Sequence, residues 1–190
     1  MKYFVDSEFI DTGEMIDLIS IGIISDDGRE LYLQSTEFNE DNANQWIKDN
    51  VLSHLANCGV CPETPRAYHD SLRGFDWWDI SKHPKHVNCP WRPRRQIAKE
   101  VAVFCDPEKY GKPELIGWCA SYDFVVLCQL FGTMMDLPVD FPHYIKDLQH
   151  VLDDRSWTDD MLPEQDGSVH NALADARHHQ RVWEFLNSTN

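Results

Sequence analysis

The chain has 190 residues, 42% of them hydrophobic and 26% charged, which suits one globular domain with its own core. Its net charge of −15 argues against a protein that coats nucleic acid through a generally basic surface. No apolar run approaches the about 18 residues of a membrane span, no leader opens the chain, and the six cysteines lack a framework spacing; a cytoplasmic protein with reduced thiols and no membrane partner is expected.

The first strand is read from Lys2 to Phe9. Successive strand side chains alternate faces, so Asp6 and Glu8 project to the same side. Two carboxylates about 6–7 Å apart on one face repel each other. A divalent cation is the usual neutraliser, and a solvated polar strand end is the plain alternative. Asp11-Thr12-Gly13-Glu14 is a turn by composition. Ile16 to Ser25 reads as a long, largely buried strand, and Asp26-Asp27-Gly28-Arg29 as a hairpin turn into a third strand at Leu31, Tyr32 and Leu33. The chain therefore opens with an antiparallel three-strand meander.

From Asn42 to Ala56, the spacing of Trp46, Ile47, Val51, Leu52 and Leu55 predicts an amphipathic helix with these residues on its core side. The pattern is lost from Asn57 to Pro93, which holds Pro62, Pro65, Pro84, Pro90, Pro93 and Trp77-Trp78 and reads as an excursion from the domain. Pro93 suits the first turn of a helix from Arg94 to Cys105, with Ile97, Val101 and Phe104 on one side. No acid occurs between Ser81 and Lys99, where Lys82, Lys85, Arg92, Arg94, Arg95 and Lys99 either guide a polyanion or balance acids elsewhere.

Glu114 to Cys119 reads as a buried strand, and Tyr122 to Phe131 as a helix with Asp123 in its first turn. Met134 to His143 is a loop, Ile145 to Val151 a short strand or mixed segment, and Asp153 to Asp166 an acidic loop. The last helix is read from Asn171 to Leu186, with Ala172, Ala176, Val182, Trp183 and Leu186 toward the core. His170 immediately precedes it, and Asp175 lies in its first turns.

Asp6-x-Glu8, Asp123 after a buried strand, and His170 four residues ahead of Asp175 are each common alone. In this order and on these elements, the chain resembles the DEDD superfamily of 3′–5′ exonucleases. His170 matches its histidine branch, called DEDDh, since no tyrosine lies near Asp175. The opening Tyr-Phe-Val-Asp-Ser-Glu-Phe-Ile, the following Ile-Asp-Leu-Ile-Ser-Ile-Gly and Arg94-Arg95-Gln96-Ile97-Ala98 look most like the bacterial adenylate-specific RNase AS group. Oligoribonuclease and the polymerase proofreading subunit usually have threonine after Asp-x-Glu, where Phe9 stands here.

The resemblance implies an α/β, ribonuclease H-like fold: a central mixed sheet opening with the meander, helices on both faces, and one exonuclease domain over residues 1–190 with the excursion at about 57–93. It implies hydrolysis of single-stranded RNA from the 3′ end to nucleoside 5′-monophosphates with two Mg²⁺ or Mn²⁺ ions, an adenylate preference and a homodimer. By the same resemblance, Asp6 would bridge the ions, Glu8 and Asp175 would complete the site of the ion carrying the attacking water, and Asp123 would serve the second. Phosphodiester hydrolysis builds charge on an anionic phosphate, and paired ions about 4 Å apart offset it. His170 would be the general base, since imidazole titrates near neutrality. Ser7 and Phe9 would touch the terminal nucleotide, and Met15 or Ile16 would wedge between the last two bases; for Phe9, Met15 and Ile16 the competing reading is core.

Three matters stay open at this point. Single-stranded DNA as substrate, and a non-catalytic nucleic-acid-binding module, are the alternatives to an exoribonuclease. Cys58-Gly59-Val60-Cys61 has the spacing of a zinc knuckle, with His69, His83, His86 and Cys89 following, although the resemblance calls for no zinc. Trp77-Trp78 reads as a base-stacking pair, a dimer contact or buried packing.

Overall fold

Three long strands form the expected meander in a computed structural model that describes residues 1–56, 89–167 and 169–188. β1 (Lys2–Asp11) pairs antiparallel with β2 (Ile16–Ser25), and β2 with β3 (Glu30–Ser35). β4 (Trp91–Arg92), β5 (Glu114–Gly117) and β6 (Lys146–Asp147) complete a mixed sheet in the order β4-β3-β2-β1-β5-β6. β4 runs parallel to β3, β5 to β1, and β6 to β5. All ten residues of β2 are buried, as befits a strand covered on both faces.

Among the described residues the helices are α1 (Gln45–Asn50), α2 (Arg94–Phe104), α3 (Pro107–Tyr110), α4 (Ser121–Phe131), α5 (Leu148–Arg155) and α6 (Ala172–Ser188). Strand alternation sorts them onto two faces. Tyr3 and Val5 of β1 share a core cluster with Ile97 and Val101 of α2 and Val126 and Leu127 of α4. Phe4 shares another with Leu148 and Leu152 of α5 and Val182 and Leu186 of α6. Ile10, near the end of β1, packs with Ile47 of α1 and Trp91 of β4. The even-numbered side of β1 thus faces α6 and, at its far end, α1. The α/β architecture, with helices on both faces of a sheet that begins as a meander, is consistent with a ribonuclease H-like fold.

Three local expectations need correction. The helix read over Asn42 to Ala56 is only the six residues of α1, flanked by 3₁₀ turns at Glu40–Asn42 and Leu52–His54. Asn44 caps α1 by accepting the Ile47 N–H at 2.8 Å, which starts the helix later than the apolar spacing suggests. Pro93 is extended and precedes α2 rather than sitting in its first turn, and the Arg94 N–H is taken by Glu37 at 2.6 Å. Ile145 to Val151 is the mixed segment expected, strand β6 followed by α5, but α5 continues through Asp153 into the expected acidic loop.

Part of the basic stretch is also turned inward. Arg92 is buried and bonds Glu100 at 2.7 Å, and Arg94 pairs with buried Asp17. Arg95 and Lys99 are exposed. The readings placed on Cys58, Cys61, His69, Trp77, Trp78, Lys82, His83, Lys85 and His86 lie outside the described residues.

Two glycines let helices come close to the sheet. A Cβ on Gly22 of β2 would lie inside the Ala172 carbonyl, so the first turn of α6 rests directly on the strand. A Cβ on Gly117 would meet the Ala120 Cβ at 2.7 Å and the Val5 carbonyl oxygen at 3.0 Å, where the chain folds from β5 into α4. Gly22→Ala is expected to destabilise by about 1–3 kcal/mol through overpacking against backbone that cannot rotate away. Urea denaturation checks this, and a Gly22→Ala protein as stable as the parent would show that α6 can shift freely.

Candidate active site

Asp6 and Glu8 leave β1 on the side that faces α6, as strand alternation requires. Asp175 stands in the first turn of α6, opposite them. One carboxylate oxygen from each of Asp6, Glu8 and Asp175 lies within 4.8 Å of the others, a spacing suited to a shared cation. Their surroundings oppose the charged state. Burial first, then the charges of Asp123, Glu8 and Asp175, raise the Asp6 pKa well above the usual carboxylate value. Burial and the same acidic neighbours, Asp175 before Asp123, push Glu8 up to about 7. Asp175 is raised by burial despite a hydrogen bond donated by the Gln165 amide.

Asp123 arrives from the other face of the sheet. It is buried at the start of α4, which packs on the odd-numbered side of β1, and it accepts both the N–H and the hydroxyl of Ser7, at 2.8 and 2.5 Å. Burial raises its pKa to about 6, opposed by these hydrogen bonds. Asp123 lines the same cleft as the other three acids but stands outside their 4.8 Å cluster. Ser7, read from sequence as a substrate contact, is the anchor of Asp123. The turn before α4 is fixed by Asp147, whose carboxylate accepts the Cys119 and Ala120 N–H groups at 2.9 and 3.0 Å.

His170 occupies the joint before α6 with a left-handed backbone, φ +62°. Its ring meets Trp46 of α1 edge to face, with centroids 4.8 Å apart. Asn171 then starts the helix by accepting the Ala174 N–H at 3.1 Å. The remaining sequence candidates divide. Phe9 is half-buried in the cleft wall against Tyr122, with ring centroids 5.6 Å apart. Met15 is 47% exposed and Ile16 is part of the core, and neither is among the residues that line the cleft beside the acids.

The four acids, Ser7, Phe9 and His170 share a cleft of about 700 Å³, large enough for a nucleotide. It is lined by Asp6, Glu8, Asp123, His170 and Asp175, with Trp46 and Tyr122 also on its walls. The sequence reading missed Tyr122, Gln165 and His179 altogether and placed Trp46 in the core. His179 is one helical turn beyond Asp175 and so shares its face, a signal that i, i+4 spacing offered. Burial holds its pKa down, to about 4. The neutral ring turns Nδ1 to the Val5 carbonyl at 3.2 Å and Nε2 toward Asp6 at 3.9 Å. Gln165 lies on an irregular loop, and nothing local marks it as a partner of Asp175.

Comparison with known proteins points to one family. A model of the Rv2179c-like 3′-5′ exoribonuclease domain matches residues 1–187. The 3′-5′ exoribonucleases Rv2179c and MT2234.1, from two strains of Mycobacterium tuberculosis, are each 34% identical over 189 residues, covering 100% of this chain and 95% of theirs.

The carboxylates make metal-free stability pH-dependent in a defined sense. Glu8 and Asp123 have folded pKa values above their unfolded ones, so the folded protein binds these protons more tightly. Their stabilising contribution is complete below the unfolded values and is lost as pH rises through about 6 and 7. The Tm of metal-free protein is therefore expected to fall between about pH 5 and 8, and millimolar Mn²⁺ or Mg²⁺ to restore it. Asp6→Asn should raise the metal-free Tm at the upper end, by about 2–4 °C per kcal/mol of repulsion relieved. Thermal melts across pH check all three, and a flat profile would show that the acids do not repel as described.

Proposed function

The chain belongs to the Rv2179c-like 3′-5′ exoribonuclease domain family, and on that footing we propose that it shortens single-stranded RNA from the 3′ end by DEDDh chemistry, releasing nucleoside 5′-monophosphates. The observation that carries the reading is the convergence of Asp6, Glu8 and Asp175 within 4.8 Å, beside Asp123 and His170 in one cleft. The family match over residues 1–187 supports one exonuclease domain. The donor set suits Mg²⁺ or Mn²⁺: it is all oxygen, mutually repelling, and faced by no lysine or arginine among the described residues that line the cleft.

Asp6, Glu8 and Asp175 would hold one ion, and Asp6 with Asp123 a second. Bound ions supply a polarised water and offset the charge that develops on the phosphate. The protein's own groups do the rest. Asp123 is held by Ser7 and Asp175 by Gln165, so two carboxylates are oriented before substrate arrives. His170, at the rim of the cluster, accepts the proton of the attacking water and returns it to solvent. Phe9 and Tyr122, on the cleft wall, offer ring surface to the terminal base. Stacking tolerates any base, so an adenylate preference requires further polar contacts.

The test is a time course on 5′-labelled single strands of matched RNA and DNA sequence, with Mn²⁺, Mg²⁺ or EDTA. RNA should shorten stepwise from its 3′ end only with metal, and Asp6→Asn should slow this by at least about 10³-fold. Faster loss of poly(A) than poly(U) would place the chain with the adenylate-specific group. Equal or faster action on DNA would move the reading to a DNA exonuclease, and inactivity of folded, metal-loaded protein on both would leave a binding module.

A further inference from the structure

We propose that Trp46 is a positioning residue for the general base: its indole holds the His170 imidazole at the cleft, and loss of that contact lowers turnover rather than substrate affinity. This rests on the exonuclease reading above and on the assignment of His170 within it.

The two residues come from distant parts of the chain and meet beside Asp175, whose charge acts on the imidazole without fixing the plane of its ring. His170 is half-buried, with a left-handed backbone. Among the described residues its ring makes no hydrogen bond. The acids are each held by a strand, a helix or a donated hydrogen bond, but His170 sits on a loop joint. Its ring contact is the indole of Trp46, with centroids 4.8 Å apart and planes at 77°, an edge-to-face geometry that favours one ring orientation.

Trp46 is otherwise hard to account for. It is 53% exposed on a helix of six residues, so it adds little to the core. Its backbone is nevertheless well fixed. The Asn44 cap sets the start of α1, Ile47 is buried under it, and the Asn50 amide donates to the Trp46 carbonyl at 2.9 Å. A large ring on a fixed backbone, facing the cleft and touching a histidine, is a rest against which that histidine can be aligned. Misplacing a catalytic group by about 1 Å can cost up to about a hundredfold in rate. The rival role, a platform on which the substrate base stacks, would act on affinity instead.

Steady-state kinetics on single-stranded RNA with Mn²⁺ separates the two for Trp46→Ala, Trp46→Phe, His170→Ala and the Trp46→Ala/His170→Ala double variant. Trp46→Ala is expected to lower kcat about 10–100-fold with KM within about twofold, and Trp46→Phe to restore most of the loss. In the His170→Ala background, Trp46→Ala should cost nothing further, because the group it positions is gone. The His170 ring-proton resonance should also lose its ring-current shift in Trp46→Ala. A raised KM with kcat retained would overturn the proposal in favour of a base platform. An equal loss from Trp46→Ala with and without His170 would overturn it as well. Full turnover by His170→Ala would instead remove the general-base assignment, and this proposal with it. Trp46→Phe guards against a folding artefact, since it keeps an aromatic ring of reduced size at the same surface position.

Discussion

The seat of α6 on β2 is the constraint on which the site depends. The helix begins where Gly22 leaves no Cβ, and its first turn lies against the strand backbone. Gly22 is also the register partner of Asp6 on β1. One close approach therefore sets the distance from Asp175 to Asp6 and Glu8 and the position of the joint that carries His170. Any larger residue at 22 would lift the helix and open the carboxylate cluster together. The sheet supplies the rest of the rigidity, since β1 is paired with antiparallel β2 from Tyr3 to Asp11 and with parallel β5 from Lys2 to Phe4. The ends of β1 and β5 open into the cleft, as at the carboxyl ends of strands in many α/β sheets.

Electrostatics gives the cleft a marked polarity. Asp6, Glu8, Asp11, Asp123, Asp159 and Asp175 line it, and among the described lining residues there is no lysine or arginine. A bare cleft of this kind repels RNA phosphates. On the exonuclease reading, affinity must then come from metal and from ring surfaces, so metal loading is a condition of substrate binding as well as of chemistry. The chain's overall charge of −15 points the same way, because it provides no long-range attraction for a polyanion. Of the acid-free stretch up to Lys99, Arg92 and Arg94 are committed to Glu100 and Asp17, and Arg95 and Lys99 are exposed.

The sequence made much of this legible, and the misses have physical causes. Alternation along β1 put Asp6 and Glu8 on one face, and the burial of β2 followed from its apolar run. Asp175 and His170 were readable as a helix start and its approach. The partner of Asp123 was not. Ser7 is 116 residues away and points to the opposite face from its neighbours, so only the packing of α4 brings the pair together. Trp46 was misplaced because its spacing matched an amphipathic helix. The Asn44 cap shortens that helix and leaves Trp46 near its start, out of the core and toward the cleft. β4 went unseen because a two-residue strand next to proline carries no periodicity, and it exists through pairing of Gln34 with Trp91 and Ser35 with Arg92.

Rigid and adjustable parts of the site are divided by their chemistry. Groups that would share a cation must hold a fixed spacing, and each acid is fixed by regular structure: Asp6 and Glu8 by the sheet, Asp123 by Ser7, and Asp175 by α6 and Gln165. On the exonuclease reading a base would instead have to approach a water present only in the loaded site, and His170, beside the acids in the cleft, is set on a joint with a left-handed backbone. That conformation costs about 1–2 kcal/mol for a non-glycine residue, and it persists because the Asn171 cap and the Gly22 seat fix the chain immediately after it. Among the described residues the imidazole makes no hydrogen bond, and its neighbours there are the Asp175 charge and the Trp46 ring. A ring contact of that kind guides an imidazole without locking it, which on the exonuclease reading suits a group that would both meet a water and release its proton.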